Sequence, residues 1–343
     1  MPAVSVIIPM YNVRPYIEDC LLSLKRQTFG DFEALCVDDG STDGTLEAAR
    51  KAGGDDARFS FLSQANAGQS AARNAGIARA TGKYVVFLDS DDYYEDRALQ
   101  MLFERAERDG LDDLFFSART LYEGEDVRAR YHDEYGGRSD IDGIMTGREL
   151  MVRFVEEDSF CVSPGMQFVR KSFLDKVGPS VLRGNRARGQ PLHLPHAGLA
   201  PRTGFLNESL YVRRVRRGST MTEDREIKHV YGHFKAAYEI EAWLRVHVGE
   251  CSEAFVRVLL RHVAFCYDRA AFDALSLDEA QLEACATQLG ASDPDEGVSF
   301  RLHVIEHARE TGGIRQEYLG STTYRIGHAI MALPCRLKER LGR

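Results

Sequence analysis

"NAGQSAARNAGIARATGKYVVFLDSDD", residues 66–92, decides the fold. Residues 67–80 are mostly small, as in a helix that packs closely against its neighbours. Thr81 and Gly82 punctuate the end of that helix. The run from Tyr84 to Leu88 is continuously apolar, as a strand buried on both faces must be. It ends in Asp89, Ser90, Asp91 and Asp92. A helix leading into a buried strand is part of a βαβ unit.

The same grammar extends upstream. "VSVIIPM" (4–10) is another unbroken apolar run, and "VRPYIEDCLLSLKRQTF" carries apolar residues at helical spacing. "FEALCVDD" (32–39) is a second strand, "GSTDGTLEAARKAG" a turn feeding a helix, and "FSFLSQ" a third strand. This alternation predicts an α/β fold: an open, mostly parallel sheet with helices on both faces. Between about 115 and 222 the pattern is less regular. "DDLFFSARTLY" and "FLNESLYVRRV" read as strands, and "TGRELMVRFVEE" as a helix capped by Thr146. From about 223 onward the periodicity is helical. The expected organisation is a first half of an α/β domain at 1–115, a second half of the same domain at 116–222, and a helical region at 223–343.

Composition narrows the function. The 343 residues carry a net charge of −8, which argues against nucleic acid as a partner. Seven cysteines are scattered singly with no CxxC pair, the usage of reduced thiols in a cytoplasmic protein. No signal peptide opens the chain, and no apolar run is long enough to span a bilayer. The end, "TYRIGHAIMALPCRLKERLGR", is apolar in its middle and basic at Arg336, Lys338, Arg340 and Arg343. It suits peripheral contact with an anionic membrane surface at the inner face; a helix packed on the domain with a solvated basic end is the alternative.

In an open α/β sheet, ligands bind beyond the carboxyl ends of the strands. The unusual polar residues gather there: Pro9, Tyr11 and Asn12 after the first strand, Asp38 and Asp39 after the second, Asp89 to Asp92 after the fourth. Clustered carboxylates repel unless a cation or donors offset them. Such oxygen ligands suit magnesium or manganese bridging two phosphates. Taken alone, "DDGSTD" is also ordinary turn and cap chemistry, and "NAGQSAARNAG" also reads as a tightly packed helix. No GxGxxG follows the first strand, which disfavours a dinucleotide-binding dehydrogenase. A phospho-receiver module would begin its sheet with the acid-bearing strand, whereas here a strand and a helix precede it.

"VSVIIPMYNV", "FEALCVDDGSTDGT" and "NAGQSAARNAGIARATGKYVVFLDSDD" together resemble the family 2 glycosyltransferases of the GT-A fold, in order and nearly without gaps over the first hundred residues. "FLNESLYVRRVRRGSTMT" (205–222) resembles a later part of the same domain. The resemblance implies transfer of a sugar, with inversion, from a nucleotide-diphosphate donor of the UDP-sugar kind to a glycan or lipid-linked acceptor of cell-surface polysaccharide synthesis. It implies that Pro9, Tyr11 and Asp39 line the base pocket, with Asn12 among the nucleotide-binding residues; Arg73, by its residue type, could face a phosphate or base. Asp89 would face the ribose, and Asp91 would hold manganese or magnesium on the diphosphate. Arg214 or Arg217 would stabilise the leaving group.

One stretch departs from that family. Inverting transfer needs a general base, which the family supplies from a Glu-Asp pair in the interval before "FLNESLYVRR". Here that interval includes "LRGNRARGQPLHLPHAG" (182–198), and residues 179–204 contain no acid. The base is expected within 183–194, at Gly189. Read one base forward, codons for Gly178 to Leu194 can spell Gly-Leu-Arg-Phe-Tyr-Glu-Gly-Ile-Glu-His-Glu-Asp-Asn-Leu-Phe-Thr-Phe. Two compensating frame changes, near 178 and near 195–200, would account for the segment. Divergence into a basic, phosphate-gripping loop is the alternative. The chain is then either an impaired transferase or a nucleotide-sugar-binding protein without turnover.

Overall fold

The structure, a computed structural model, describes residues 1–130, 138–160, 163–177, 197–218 and 226–310. Its centre is an eight-stranded sheet. The strands are β1 (Val4–Met10), β2 (Phe32–Asp38), β3 (Phe59–Ser63), β4 (Tyr84–Phe87), β5 (Tyr93–Tyr94), β6 (Asp113–Tyr122), β7 (Gln167–Arg170) and β8 (Thr203–Val215). Their order across the sheet is β3-β2-β1-β4-β7-β6-β8-β5. β1 to β4 pair in parallel, as the alternation of apolar runs and helices demands. β7 runs antiparallel between β4 and β6, and β5 antiparallel to β8, so the sheet as a whole is mixed. β5 and β7 are too short to leave a periodic signal in the sequence.

Helices cover both faces, and residue parity shows how. Val4, Val6, Ile8 and Met10 of β1 pack with Ala34 and Cys36 of β2 against α1 (Ile17–Lys25), α2 (Thr45–Gly53) and α4 (Ala98–Asp109). Ile7, Leu35, Val85 and Phe87 point the other way, onto α3 (Gln69–Arg79) and α7 (Lys171–Val177). The small residues of α3 allow close approach to β1: a Cβ at Gly76 would lie 2.4 Å from Cγ2 of Ile7. Between α4 and α7 lie α5 (Glu125–Arg130) and α6 (Gly147–Glu156). α6 begins with a reciprocal capping box between Thr146 and Glu149.

Pro9 sits in a central strand, where a residue without an N–H is normally excluded. Met10 accepts from Asp39 on the β2 side, whereas Ile7 accepts from Leu88 on the β4 side. By alternation the backbone of Pro9 also faces the β4 side. β4 ends at Phe87, opposite Ile7, so no ladder bond is lost at Pro9. The β1–β4 pairing ends there, while β1 continues along β2 to Met10.

The chain divides into two units. The first comprises Met1–Asp224 with Lys235–Ala264, and the second Arg225–Phe234 with Phe265–Arg343. The helices α8 (Ile227–His247) and α9 (Glu253–Ala274) contribute to both. In the first unit, Arg148 donates to the Glu250 carbonyl and stacks over Phe255. In the second, α10 (Glu279–Ser292) and α11 (Pro294–Phe300) join the end of α9. Phe234 meets Phe300 edge-on at 4.9 Å, and Tyr267 stacks on His303 at 4.2 Å. Among the described residues no helix is long and apolar enough to cross a membrane. The basic end at 336–343 lies outside the described residues.

Candidate active site

The loops after β1 and β2 are clasped together. The Asn12 and Val13 amides donate to Ser41 Oγ at 3.1 Å and Thr45 Oγ1 at 2.9 Å. The Arg14 amide reaches Asp43 Oδ2 at 3.1 Å, and Asn12 Oδ1 accepts from the Thr42 amide at 2.9 Å. Asn12 adopts φ 51°, a left-handed conformation that asparagine tolerates. Within "DDGSTD", Ser41, Thr42 and Asp43 make these loop-bracing hydrogen bonds. Pro9 is buried beneath the clasp, and Tyr11 is 50% exposed at its rim.

Asp39 is only 2% exposed. Its carboxylate accepts from Gln64 Nε2 at 2.8 Å and from the Ala67 and Gly68 amides at 2.9 and 2.7 Å. A carboxylate has about four acceptor positions, so roughly one remains. Gly40, at φ +76°, lets this happen: a Cβ there would come within 3.0 Å of the Asn66 amide nitrogen. Asp39 thus fixes the N-terminus of α3 at the crevice.

From that helix Arg73 extends inward. Its Nη2 lies 2.6 Å from Asp89 Oδ1, which also accepts from Gln69 Nε2 at 3.0 Å. Arg73 is 3% exposed and neutralises Asp89 rather than pointing into the open crevice. Arg73 Nε and the Ser70 hydroxyl, one turn apart, are buried without a protein partner beside it.

The acidic loop is then braced from β8. Tyr211 Oη donates to Asp92 Oδ2 at 2.5 Å and accepts the Asp89 amide at 3.3 Å. The Arg214 amide donates to Asp92 Oδ1 at 2.7 Å. The Arg214 side chain donates to the Asp91 carbonyl (3.0 Å), to Glu123 (2.6 Å) and to Asp19 (3.0 Å). Arg217 is on the surface, 79% exposed and paired with Asp126. The cation facing Asp91 is instead Arg216, with Nη2 3.0 Å from Asp91 Oδ2. Burial raises the Asp91 pKa; Arg216 opposes that shift and Asp89 adds to it. Asp92 is raised well above the carboxylate range by burial first and by Asp91 and Asp89 next.

The fold thus brings Pro9, Tyr11, Asn12 and Asp39 to the ends of β1 and β2, sets Arg73 and Arg214 against the loop of Asp89 and Asp91 beyond β4, and leaves Arg217 on the surface. Gly189 and the rest of 183–194 lie outside the described residues. Tyr211, Gln69 and Arg216 join the acidic loop without having been expected there, and Asp92, expected only as one of the strand-end acids, is its buried anchor. The hint for Tyr211 is a hydroxyl-bearing aromatic set between Leu210 and Val212 in a buried stretch of the strand. Asp89 is paired with Arg73 and Asp91 with Arg216, so a metal at Asp91 would have to take that carboxylate from the guanidinium. The carboxylate fits a hard cation taking its other ligands from phosphate and water. Among the described residues no group of three or more His, Cys, Asp or Glu side chains is placed to hold a metal.

A GT-A-like sheet with carboxylates at the ends of β2 and β4 defines a glycosyltransferase. The family model for "Glycosyl transferase family 2" matches residues 5–178. The glycosyltransferase EpsJ of Bacillus subtilis, itself uncharacterized, is 31% identical over 268 residues, 76% of each chain. The chain belongs to glycosyltransferase family 2. Staphylococcus aureus TarS residues 1–349, solved with UDP-GlcNAc, superposes with a TM-score of 0.62 over 92% of both chains at 20% identity. The Pyrobaculum calidifontis mannosyltransferase PcManGT, solved with GDP-Man and Mn2+, gives 0.53 at 17% identity, covering 93% of this chain and 88% of that one. Both likenesses concern the fold.

Proposed function

We propose that this chain binds a UDP-sugar with manganese or magnesium and transfers the sugar, with inversion, to a hydroxyl of a cell-surface glycan or lipid-linked acceptor. The observation that carries the reading is Asp91, a carboxylate kept at the end of β4 against burial and the charge of Asp89, with the Arg216 guanidinium across from it. Tyr11 offers a half-exposed ring to the base, and Asp39 one remaining acceptor to a ring N–H. Asp89, oriented by Arg73 and Gln69, is assigned to the ribose. Asp91 holds the cation, which when bound neutralises the leaving diphosphate. Of the three arginines, Arg216 is assigned to the phosphates; Arg214 braces the acidic loop, and Arg217 is spent on the surface. Donor chemistry belongs to residues 1–115 and the acceptor side to 116–222. The helical region from 223 and the basic end serve peripheral attachment at the cytoplasmic face.

A second reading has its own support. No Asp or Glu occurs between Asp175 and Glu208, and the family match stops at residue 178. A chain with an intact donor crevice and no carboxylate to deprotonate the acceptor binds nucleotide sugar and turns it over poorly. Calorimetry with UDP-sugars and GDP-mannose in manganese, beside a turnover assay, separates the two: brisk turnover removes the second reading, and absence of nucleotide binding removes both.

A further inference from the structure

Arg216 lies one residue beyond β8. Its Nη2 and Nε are 3.0 and 3.2 Å from Asp91 Oδ2, and its guanidinium carbon is 4.3 Å from the centre of the Tyr16 ring. Arg214, two positions earlier, grips the same loop through the Asp91 carbonyl and leaves the Asp91 carboxylate to Arg216. One arginine braces the backbone, and the other neutralises the side chain. A divalent cation at Asp91 needs the carboxylate that Arg216 holds. Two positive groups a few ångströms apart in a partly buried crevice repel strongly, so they compete for it.

We propose that Arg216 is the resident counter-cation of Asp91, that a metal-bound nucleoside diphosphate displaces it, and that this exchange makes metal and nucleotide bind cooperatively. The inference rests on the donor-site reading above. Charge balance supplies its logic. Asp91 and Arg216 offset one another, and a divalent cation alone adds two positive charges beside that guanidinium. A cation arriving with a diphosphate restores near-neutrality and offers the released guanidinium two oxygens at the spacing of its fork. The Tyr16 ring gives the guanidinium a seat that does not depend on Asp91. Metal alone therefore binds weakly, and by linkage each ligand strengthens the other.

The test is titration of Mn2+ followed by loss of the free-ion paramagnetic resonance signal, with and without UDP. In the unaltered protein UDP raises Mn2+ affinity about tenfold or more, within the usual range for such coupling. Arg216→Gln binds Mn2+ alone several-fold more tightly and loses most of the enhancement; Arg216→Lys, which keeps the charge, retains part of it. Tyr16→Leu removes the seat but not the charge, and serves if the glutamine variant does not fold. It leaves Mn2+ affinity without nucleotide unchanged and weakens UDP at saturating Mn2+. Equal Mn2+ affinity in folded wild type and Arg216→Gln, or unchanged UDP affinity in Tyr16→Leu, overturns the exchange while leaving the donor site standing. Failure of the unaltered protein to bind UDP in Mn2+ overturns the donor site and the exchange with it.

Discussion

Tyr211 Oη lies 2.5 Å from Asp92 Oδ2, joining a strand near residue 211 to an acidic loop more than a hundred residues earlier. The same oxygen accepts the Asp89 amide. Tyr211→Phe leaves the buried Asp92 carboxyl and the Asp89 amide each short of a partner. We expect a loss of about 1–3 kcal/mol in urea unfolding, together with weaker UDP binding, because the Asp92 carboxylate and the Asp89 amide that flank Asp91 lose their brace. Unchanged stability and affinity would mean that β8 does not position the loop.

Arg73 and Asp89 are a buried cation and its partner. Asp89→Ala strands the guanidinium among apolar neighbours and costs about 3 kcal/mol, read as a lowered urea midpoint. Asp89→Asn keeps an acceptor and loses less. If the two variants are equally stable, the ion pair is not what holds Arg73.

Glu33 predicts a pH dependence. Burial would raise its pKa, but the Ser5 hydroxyl at 2.6 Å, with the Thr81 amide at 2.7 Å and hydroxyl at 2.8 Å, lowers it overall. A carboxylate lowered in the folded state contributes stability above its unfolded pKa, near 4.3. That contribution is lost as pH falls through the lower folded value. Glu33→Gln should therefore be less stable than the unaltered chain by about 1 kcal/mol at pH 7. The gap should close as the solution is acidified below pH 4; a gap constant from pH 7 to pH 3 would contradict this.

The legible part of the molecule is local. β1, β2 and β4 announce themselves because each is almost wholly buried and so almost continuously apolar, and the acids mark the strand ends. Residue types were legible and their partners were not. Arg214, Arg216 and Arg217 look alike in "RRVRRG", yet one braces, one neutralises Asp91 and one is on the surface. Which is which depends on where β8 ends, at Val215, and on Asp91, Glu123 and Asp126 arriving from elsewhere. Asp39 likewise depends on the 64–68 loop returning over it, which the left-handed Gly40 permits but does not announce.

The basic segment makes its own prediction. Replacing residues 178–194 with the text read one base forward restores an aspartate at position 189. Turnover should rise by about 100-fold or more, the usual contribution of a positioned base, with UDP affinity unchanged. Equal turnover would mean that another group serves as base or that the native loop is already competent.

The account stands on Asp91 as the metal-holding carboxylate of a nucleotide-sugar site. Calorimetric titration of UDP into the unaltered protein and into Asp91→Asn, each with Mn2+ and with chelator, tests it most directly. The account predicts Mn2+-dependent UDP binding in the unaltered chain, weakened about tenfold or more by chelator, and no Mn2+ dependence in Asp91→Asn. Equal, Mn2+-dependent binding in both proteins, or no UDP binding in either, would contradict it.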